Sequence, residues 1–382
     1  MLFHLADRLL GLWGPFRLLR SHALLLTGGT VVAAILTCWL LPRVWDRLPR
    51  DHGKAILGKE GMRSAGKPTG AGLIFTLVLL PVLLLFMPFA PSDLGVVACL
   101  YFAMLSGYLD DRSAQPWGEL KKGLIDLAIC FGAAASIWHG YATGTGSSRE
   151  VMVWLPFVKG LVAVPAVVYI PAAAAMLWFV LNATNCSDGV DGLAGTLTLV
   201  TLVTLAVLLY TVIGNLQMAQ YFRIFPEYRV VDGRLMAFGG THARIAARWS
   251  VALMCSAGAL SGYLWWNAEP SRVLMGDAGS RFLGLLVGVG VLVTGNPFLV
   301  FAMAPVVLVN GGGGLGKLVL LRLAKRLGHP ISDDSAIRRV CFPLHDHCKK
   351  RMNWSNAQVL MRFTLLQAFL MPLLLILLVK IR

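Results

Sequence analysis

The sequence predicts an all-α integral membrane protein of about ten transmembrane helices, with its candidate site on the cytoplasmic face. Three observations predict it. Hydrophobic residues make up 57% of the 382 and charged residues only 14%, at mean hydropathy +0.70, whereas a soluble domain carries about 25% charged residues. Apolar runs long enough to cross about 30 Å of hydrocarbon recur along the chain. Between them, polar residues cluster at the run ends and in the loops.

The runs fall near 22–42, 71–90, 94–109, 123–142, 161–181, 193–213, 249–268, 279–295, 297–321 and 357–380. With ten crossings, the loops after odd-numbered runs share one side. Those loops hold 19 of the 34 Lys and Arg residues against 12 on the opposite side, and the positive-inside rule makes them cytoplasmic. Fourteen of the 19 Asp and Glu fall on the same side. Acidic residues contribute little to topology, so both signs gathering together points to an anionic ligand held through a metal. The net charge of +15 reads as loop charge that fixes orientation, with no nucleic acid as partner. The seven scattered cysteines contain no CxxC pair and so give neither a disulfide framework nor a zinc site. Residues 2–20, with Arg8, Arg17 and Arg20, read as an amphipathic interfacial stretch rather than a signal peptide. No repeat or linker divides the chain, which reads as one polytopic domain, 1–382.

Four boundaries carry candidate chemistry. Asp110 and Asp111 end the third run in GYLDDRS. Adjacent acids near hydrocarbon need a cation, and on a helix they point about 100° apart, so one can hold a metal while the other acts as base. A pair of solvated helix-end acids is the alternative. Asn182, Asn185, Asp188 and Asp191 recur every three residues in NATNCSDGVDG. They line one surface only if the backbone tightens or unwinds, which Gly189 and Gly192 permit, and they suit a ligand rich in hydroxyl and amide groups. The alternative is an Asx-rich turn that caps the next helix. Asp277, in MGDAGS, opens the eighth run, where a helix N-terminus can attract phosphate. His345 and His347 flank Asp346 in FPLHDH, an arrangement able to bind phosphate or a metal. The glycine-rich stretch with Lys59, Arg63 and Lys67 lacks Walker spacing. The glycines at 311–314 read as a close-packing or kink site.

Taken together, KPTGAG, the Asp110–Asp111 pair, NxxNxxDGxDG, MGDAGS and FPLHDH followed by Trp354 resemble the polyprenyl-phosphate N-acetylhexosamine-1-phosphate transferase superfamily. Within it they look most like the phospho-N-acetylmuramoyl-pentapeptide transferases, over nearly the whole chain from about residue 50. The resemblance implies a Mg²⁺-dependent reaction in the bacterial cytoplasmic (inner) membrane. Undecaprenyl phosphate attacks UDP-N-acetylmuramoyl-pentapeptide, giving lipid I and UMP for peptidoglycan synthesis; the resemblance also raises a homodimer. It implies that Asp277 and Asp111 serve the metal, and that Asp110 or Asp111 deprotonates or orients the lipid phosphate. Asn182, Asn185, Asp188 and Asp191 would hold the nucleotide-sugar, with Asp191 near uracil. His345 and His347 would contact its phosphate or sugar, and Arg63 or Lys67 would substitute for a loop lysine that stands as Ser64 here. The chain departs from the pattern at Ser64, Ala114, Leu274, Asn310 and Asp346, positions that bear on nucleotide contacts and turnover. A related UDP-N-acetylhexosamine-1-phosphate transferase, a ten-helix secondary transporter and a non-catalytic scaffold are the competing readings.

Overall fold

A computed structural model describes all residues except 10, 12, 52–64, 114, 116, 146–149, 157, 159, 222–227, 232–233, 328–334, 336–338 and 381–382. Helices dominate it, as an apolar chain requires, because hydrocarbon offers backbone groups no partner outside their own segment. In order they are α1 Leu2–Leu9, α2 His22–Val44, α3 Gly72–Phe86, α4 Pro91–Arg112, α5 Glu119–Thr145, α6 Ala166–Cys186, α7 Leu193–Leu208, α8 Leu216–Tyr221, α9 Phe238–Asn267, α10 Gly276–Val293, α11 Leu299–Met303, α12 Pro305–Val307, α13 Gly313–Arg326, α14 Leu344–Met352 and α15 Asn356–Lys380. Seven helical stretches among the described residues are long and apolar enough to cross a membrane: those beginning at His22, Pro91, Ala166, Leu193, Gly276, Pro305 and Asn356. The chain is thus a multi-pass membrane protein. The apolar helix α3 is shorter than these.

The expected all-α architecture needs two corrections. The first is a pair of short antiparallel hairpins. β1 (Glu150–Trp154) pairs with β2 (Leu161–Pro165), and β3 (Tyr228–Val231) pairs with β4 (Arg234–Ala237). Valine-rich β2 favours a pleated surface, and Pro165, extended at φ −68° and ψ 153°, starts α6 there rather than at 161. The second is a break in the run expected at 297–321. Ala304 leaves helical geometry (φ −132°, ψ 40°), Pro305 starts a new turn, and Leu308–Gly312 winds as a π-helix. The backbone groups released by the break are satisfied from α15. Gln367, fully buried, donates to Met303 O at 2.8 Å and accepts from Val306 N at 3.0 Å, as membrane burial of a broken helix demands.

Helix α10 is the axis of the assembly. Of its apolar window, 89% is buried in protein, against 22–44% for the other six. Glycine allows its neighbours to close on it. A Cβ on Gly107 of α4 would lie 2.6 Å from the Ala278 amide nitrogen, and one on Gly72 of α3 would lie 2.6 Å from the Ala278 carbonyl carbon. A Cβ would meet the Ala183 backbone at Gly311 and the Phe179 ring at Gly312, so the first half of the glycine tract is a close-packing site against α6.

The two ends of the bundle differ. At one, Arg248 holds Asp93 through two hydrogen bonds of 3.1 and 3.3 Å, joined by the Trp249 indole. There the β1 hairpin docks through Trp154 N to Gly295 O at 2.9 Å. At the other end lie the first turn of α10 and the last turns of α4 and α6.

Gly107→Val is expected to wedge α4 off the first turn of α10 at a cost of about 1–3 kcal/mol from overpacking. A lowered melting temperature in detergent would register it, and an unchanged melting temperature would contradict the close approach.

Candidate active site

The site begins where α4 ends. Asp110 and Asp111 share its last turn and face different partners, as their angular separation requires. Asp110, with its side chain 4% exposed, pairs with Lys122 at the start of α5, approaches Arg281 at 3.6 Å, and accepts from Trp117 N at 2.9 Å. Asp111 faces α10 and accepts from Asp277 N at 3.0 Å and Ala278 N at 3.1 Å. Those amides, expected to attract phosphate, are already taken by an internal carboxylate that cancels the positive end of the helix dipole. Gly276, at φ +72°, lets the chain turn tightly enough to bring them to Asp111.

Asp277 stands one residue inside α10. Its Oδ2 accepts from Arg281 at 3.1 Å, one turn along the same helix, and lies 3.4 Å from Lys122. Arg281 also donates to Asp126 at 3.0 Å. Asp110, Asp126 and Asp277 therefore share two cations, with Asp111 beside them on the α10 amides.

The expected ladder divides between two elements. Helix α6 runs on to Cys186 instead of ending near 181, so Asn182 and Asn185 sit on its last turns. Asn182 donates to Trp178 O at 2.9 Å, and Asn185 reaches across to Ser280 Oγ at 3.0 Å. Asp188 and Asp191 lie in the following turn, which Gly192 closes at φ +77°. Asp191 accepts from Ser271 N at 3.2 Å and lies 3.6 Å from Lys67, which also donates to Ser271 Oγ at 2.9 Å. Gly192 N donates to Asn267 Oδ1 at 2.8 Å. The KPTGAG stretch lies along the segment before α10 through Leu274 N to Pro68 O at 2.8 Å and Gly72 N to Met275 O at 3.0 Å. Lys59, Arg63, Ser64 and Ala114 lie outside the described residues.

The histidines separate. His345 is buried, and a Cβ on Gly189 would lie 2.9 Å from its Cε1, so its ring abuts the ladder turn. Asn310 Oδ1 accepts from His345 N at 2.9 Å and lies 3.2 Å from its Nδ1. An amide oxygen only accepts, so Nδ1 carries the proton and Nε2 is left as an acceptor. Burial, aided by Lys349 and Lys350 against Asp346, pushes the imidazole down to about 4. His347 instead accepts from Cys341 N at 3.2 Å through Nδ1, holding the loop before α14.

Residues 94–295 match the family described as Glycosyl transferase family 4. The phospho-N-acetylmuramoyl-pentapeptide-transferases of two strains of Treponema pallidum are each 41% identical over 360 residues, covering 94% of this chain and 90% of theirs. The chain belongs to glycosyl transferase family 4. A phospho-N-acetylmuramoyl-pentapeptide-transferase of Desulfotalea psychrophila is 26% identical over 97% of both chains.

The family implies a divalent metal. Among the described residues no group of three or more His, Cys, Asp or Glu is arranged to hold one. The donor set is nevertheless all oxygen, as a hard divalent cation takes, and one or two carboxylates plus substrate phosphates suffice for such an ion. Asp277, with its side chain 27% exposed, is the cluster carboxylate open to such an ion. Asp111, as the second expected ligand, is committed to the two α10 amides.

Three members of this cluster did not figure among the sequence candidates: Lys122, Asp126 and Arg281. Arg281 carried a usable signal, because an arginine inside an apolar run four residues after an acid must be paired within the protein. Lys122 and Asp126 were legible only as loop charge and a span-edge acid, since nothing in their spacing points at α10.

A pH dependence follows from His345. The unfolded chain takes up a proton near the usual 6.5, whereas the folded imidazole stays neutral down to about 4. Stability should therefore be level above 6.5 and fall as pH drops from there toward 4. Melting curves in detergent for the parent and His345→Asn should diverge in that window; parallel curves would contradict the buried neutral imidazole.

Proposed function

We propose that the chain transfers phospho-N-acetylmuramoyl-pentapeptide from its UDP donor to undecaprenyl phosphate, forming lipid I and UMP in peptidoglycan synthesis. The observation that carries this reading is the meeting of Asp110, Asp111 and Asp277 from two helices around Lys122 and Arg281, within a chain 41% identical to transferases named for that reaction. In this reading the ten apolar runs all cross the bacterial cytoplasmic membrane as one transferase domain. The cluster then faces the cytoplasm, where the soluble nucleotide donor and the lipid headgroup can both reach it.

A lipid phosphate oxygen attacks the sugar-linked phosphorus, and the bond to the bridging oxygen of UMP breaks as UMP leaves with the electron pair. Repulsion between anionic partners is the main obstacle to this step, so catalysis rests on positioning and charge neutralisation. Magnesium, when bound, supplies the divalent charge that the pyrophosphate and carboxylates need. Asp277 is assigned to it. Lys122, its side chain 27% exposed, offers a movable positive charge to the incoming phosphates. Asp110 or Asp111 orients or deprotonates the lipid phosphate and the other assists the metal site; in the resting cluster Asp110 holds Lys122 and Asp111 the α10 amides. A phosphate monoester loses its second proton near pH 6, so orientation is the larger part of that task.

The ladder would receive the donor. Asn182, Asn185, Asp188 and Asp191 supply amide and carboxylate groups for the nucleotide-sugar, with Asp191 and Lys67 at the uracil end. His345 offers Nε2 as an acceptor to the sugar region, and His347 supports it through its loop.

UMP release in liposomes should require Mg²⁺ and be faster with UDP-N-acetylmuramoyl-pentapeptide than with UDP-N-acetylglucosamine. Asp277→Ala should reduce it by at least about 10²-fold, as for removal of a main transition-state charge partner. Parent-like turnover in that variant, or a preference for the second donor, would overturn the assignment it concerns.

A further inference from the structure

Arg281 is an unusual residue for its position. It is 2% exposed on an apolar helix whose surroundings are almost wholly protein, where an unpaired cation is prohibitively costly. Asp126, 1% exposed, alone would neutralise it. The guanidinium does more. Its Nη1 edge takes Asp126 at 3.0 Å and Ser106 Oγ at 3.5 Å, while its Nη2 edge takes Asp277 at 3.1 Å and Asp110 at 3.6 Å. One edge is anchored on α4 and α5, and the other is presented to two acids of the site. Lys122 shares both of those acids, but it is a flexible, half-buried cation that substrate can draw away. A planar fork locked by Asp126 cannot follow.

From this geometry we infer that Arg281, held by Asp126, is a positioning residue for the transfer reaction. It fixes the Asp277 carboxylate and supplies a permanent counter-charge that competes with the divalent cation for it. The inference rests on the transferase reading above. Its consequence separates a charge-setting role from a merely structural one. Removing the arginine strips Asp277 of its fixed counter-charge, so divalent binding should tighten while turnover falls. A structural defect would weaken both.

The test uses the full-length protein in detergent, with Mn²⁺ binding followed by the free-ion paramagnetic resonance signal, alongside UMP release and melting temperature. Arg281→Met should bind Mn²⁺ severalfold more tightly and lose about 10–100-fold in kcat through misplacement of Asp277. KM for the donor should change far less. Asp126→Asn should bind Mn²⁺ severalfold more weakly and keep more turnover, because Arg281 still reaches Asp277. The double variant Arg281→Met with Asp126→Leu removes a balanced pair, so it should melt close to the parent and bind Mn²⁺ as the parent does, yet remain impaired in kcat. Recovery of parent kcat in the double variant would overturn the inference, as would Mn²⁺ affinity that falls or stays constant in Arg281→Met. If both arginine variants fail to fold, unchanged Mn²⁺ affinity in Asp126→Asn overturns it and weakened affinity supports it. Absence of UMP release from the parent with either donor would instead remove the transferase reading, leaving the Mn²⁺ shifts to judge Arg281 separately.

Discussion

Burying carboxylates at the edge of hydrocarbon is the constraint from which the rest of this structure follows. Four acids lie within one cluster, and acids so placed repel one another and resist leaving water. They persist because each has a positive partner: Lys122 and Arg281 for Asp110 and Asp277, Arg281 for Asp126, and the amide end of α10 for Asp111. By number alone the four acids exceed the two cations, Lys122 and Arg281.

That requirement fixes the packing. The amides at the start of α10 reach Asp111 only if α3 and α4 approach without side chains between, which Gly72 and Gly107 allow. The central position of α10 then brings Ser280 to Asn185 and the preceding segment to Lys67, Asp191 and Asn267. A single helix start thereby joins the acids to the polar ladder. The broken helix completes the enclosure, because Asn310 in its π-turn fixes His345 against the ladder. The two cations divide the work by chemistry: a half-buried lysine that can exchange partners, and a buried arginine whose fork is locked on both edges.

Much of this was legible in the sequence, and the limits have physical causes. The apolar helical character, the placing of Asp110, Asp111 and Asp277 at run ends, and the close-packing glycines follow from hydropathy and local spacing. The two hairpins, the continuation of α6 to Cys186 and the break at Ala304 do not, because each is decided by a partner remote in sequence: a facing strand, a neighbouring helix, or Gln367 on the last helix.

By itself the sequence determined that lipid is the solvent for much of this chain and that its acids and cations belong at the ends of apolar runs, since few other places can hold them. Only the tertiary structure decided which cation meets which acid. Lys122 and Asp126 are about 155 residues from the Asp277 and Arg281 they contact, and the packing of α5 and α10 that brings them together leaves no periodicity in the sequence. Charge content is a property of composition, but charge pairing is a property of distance.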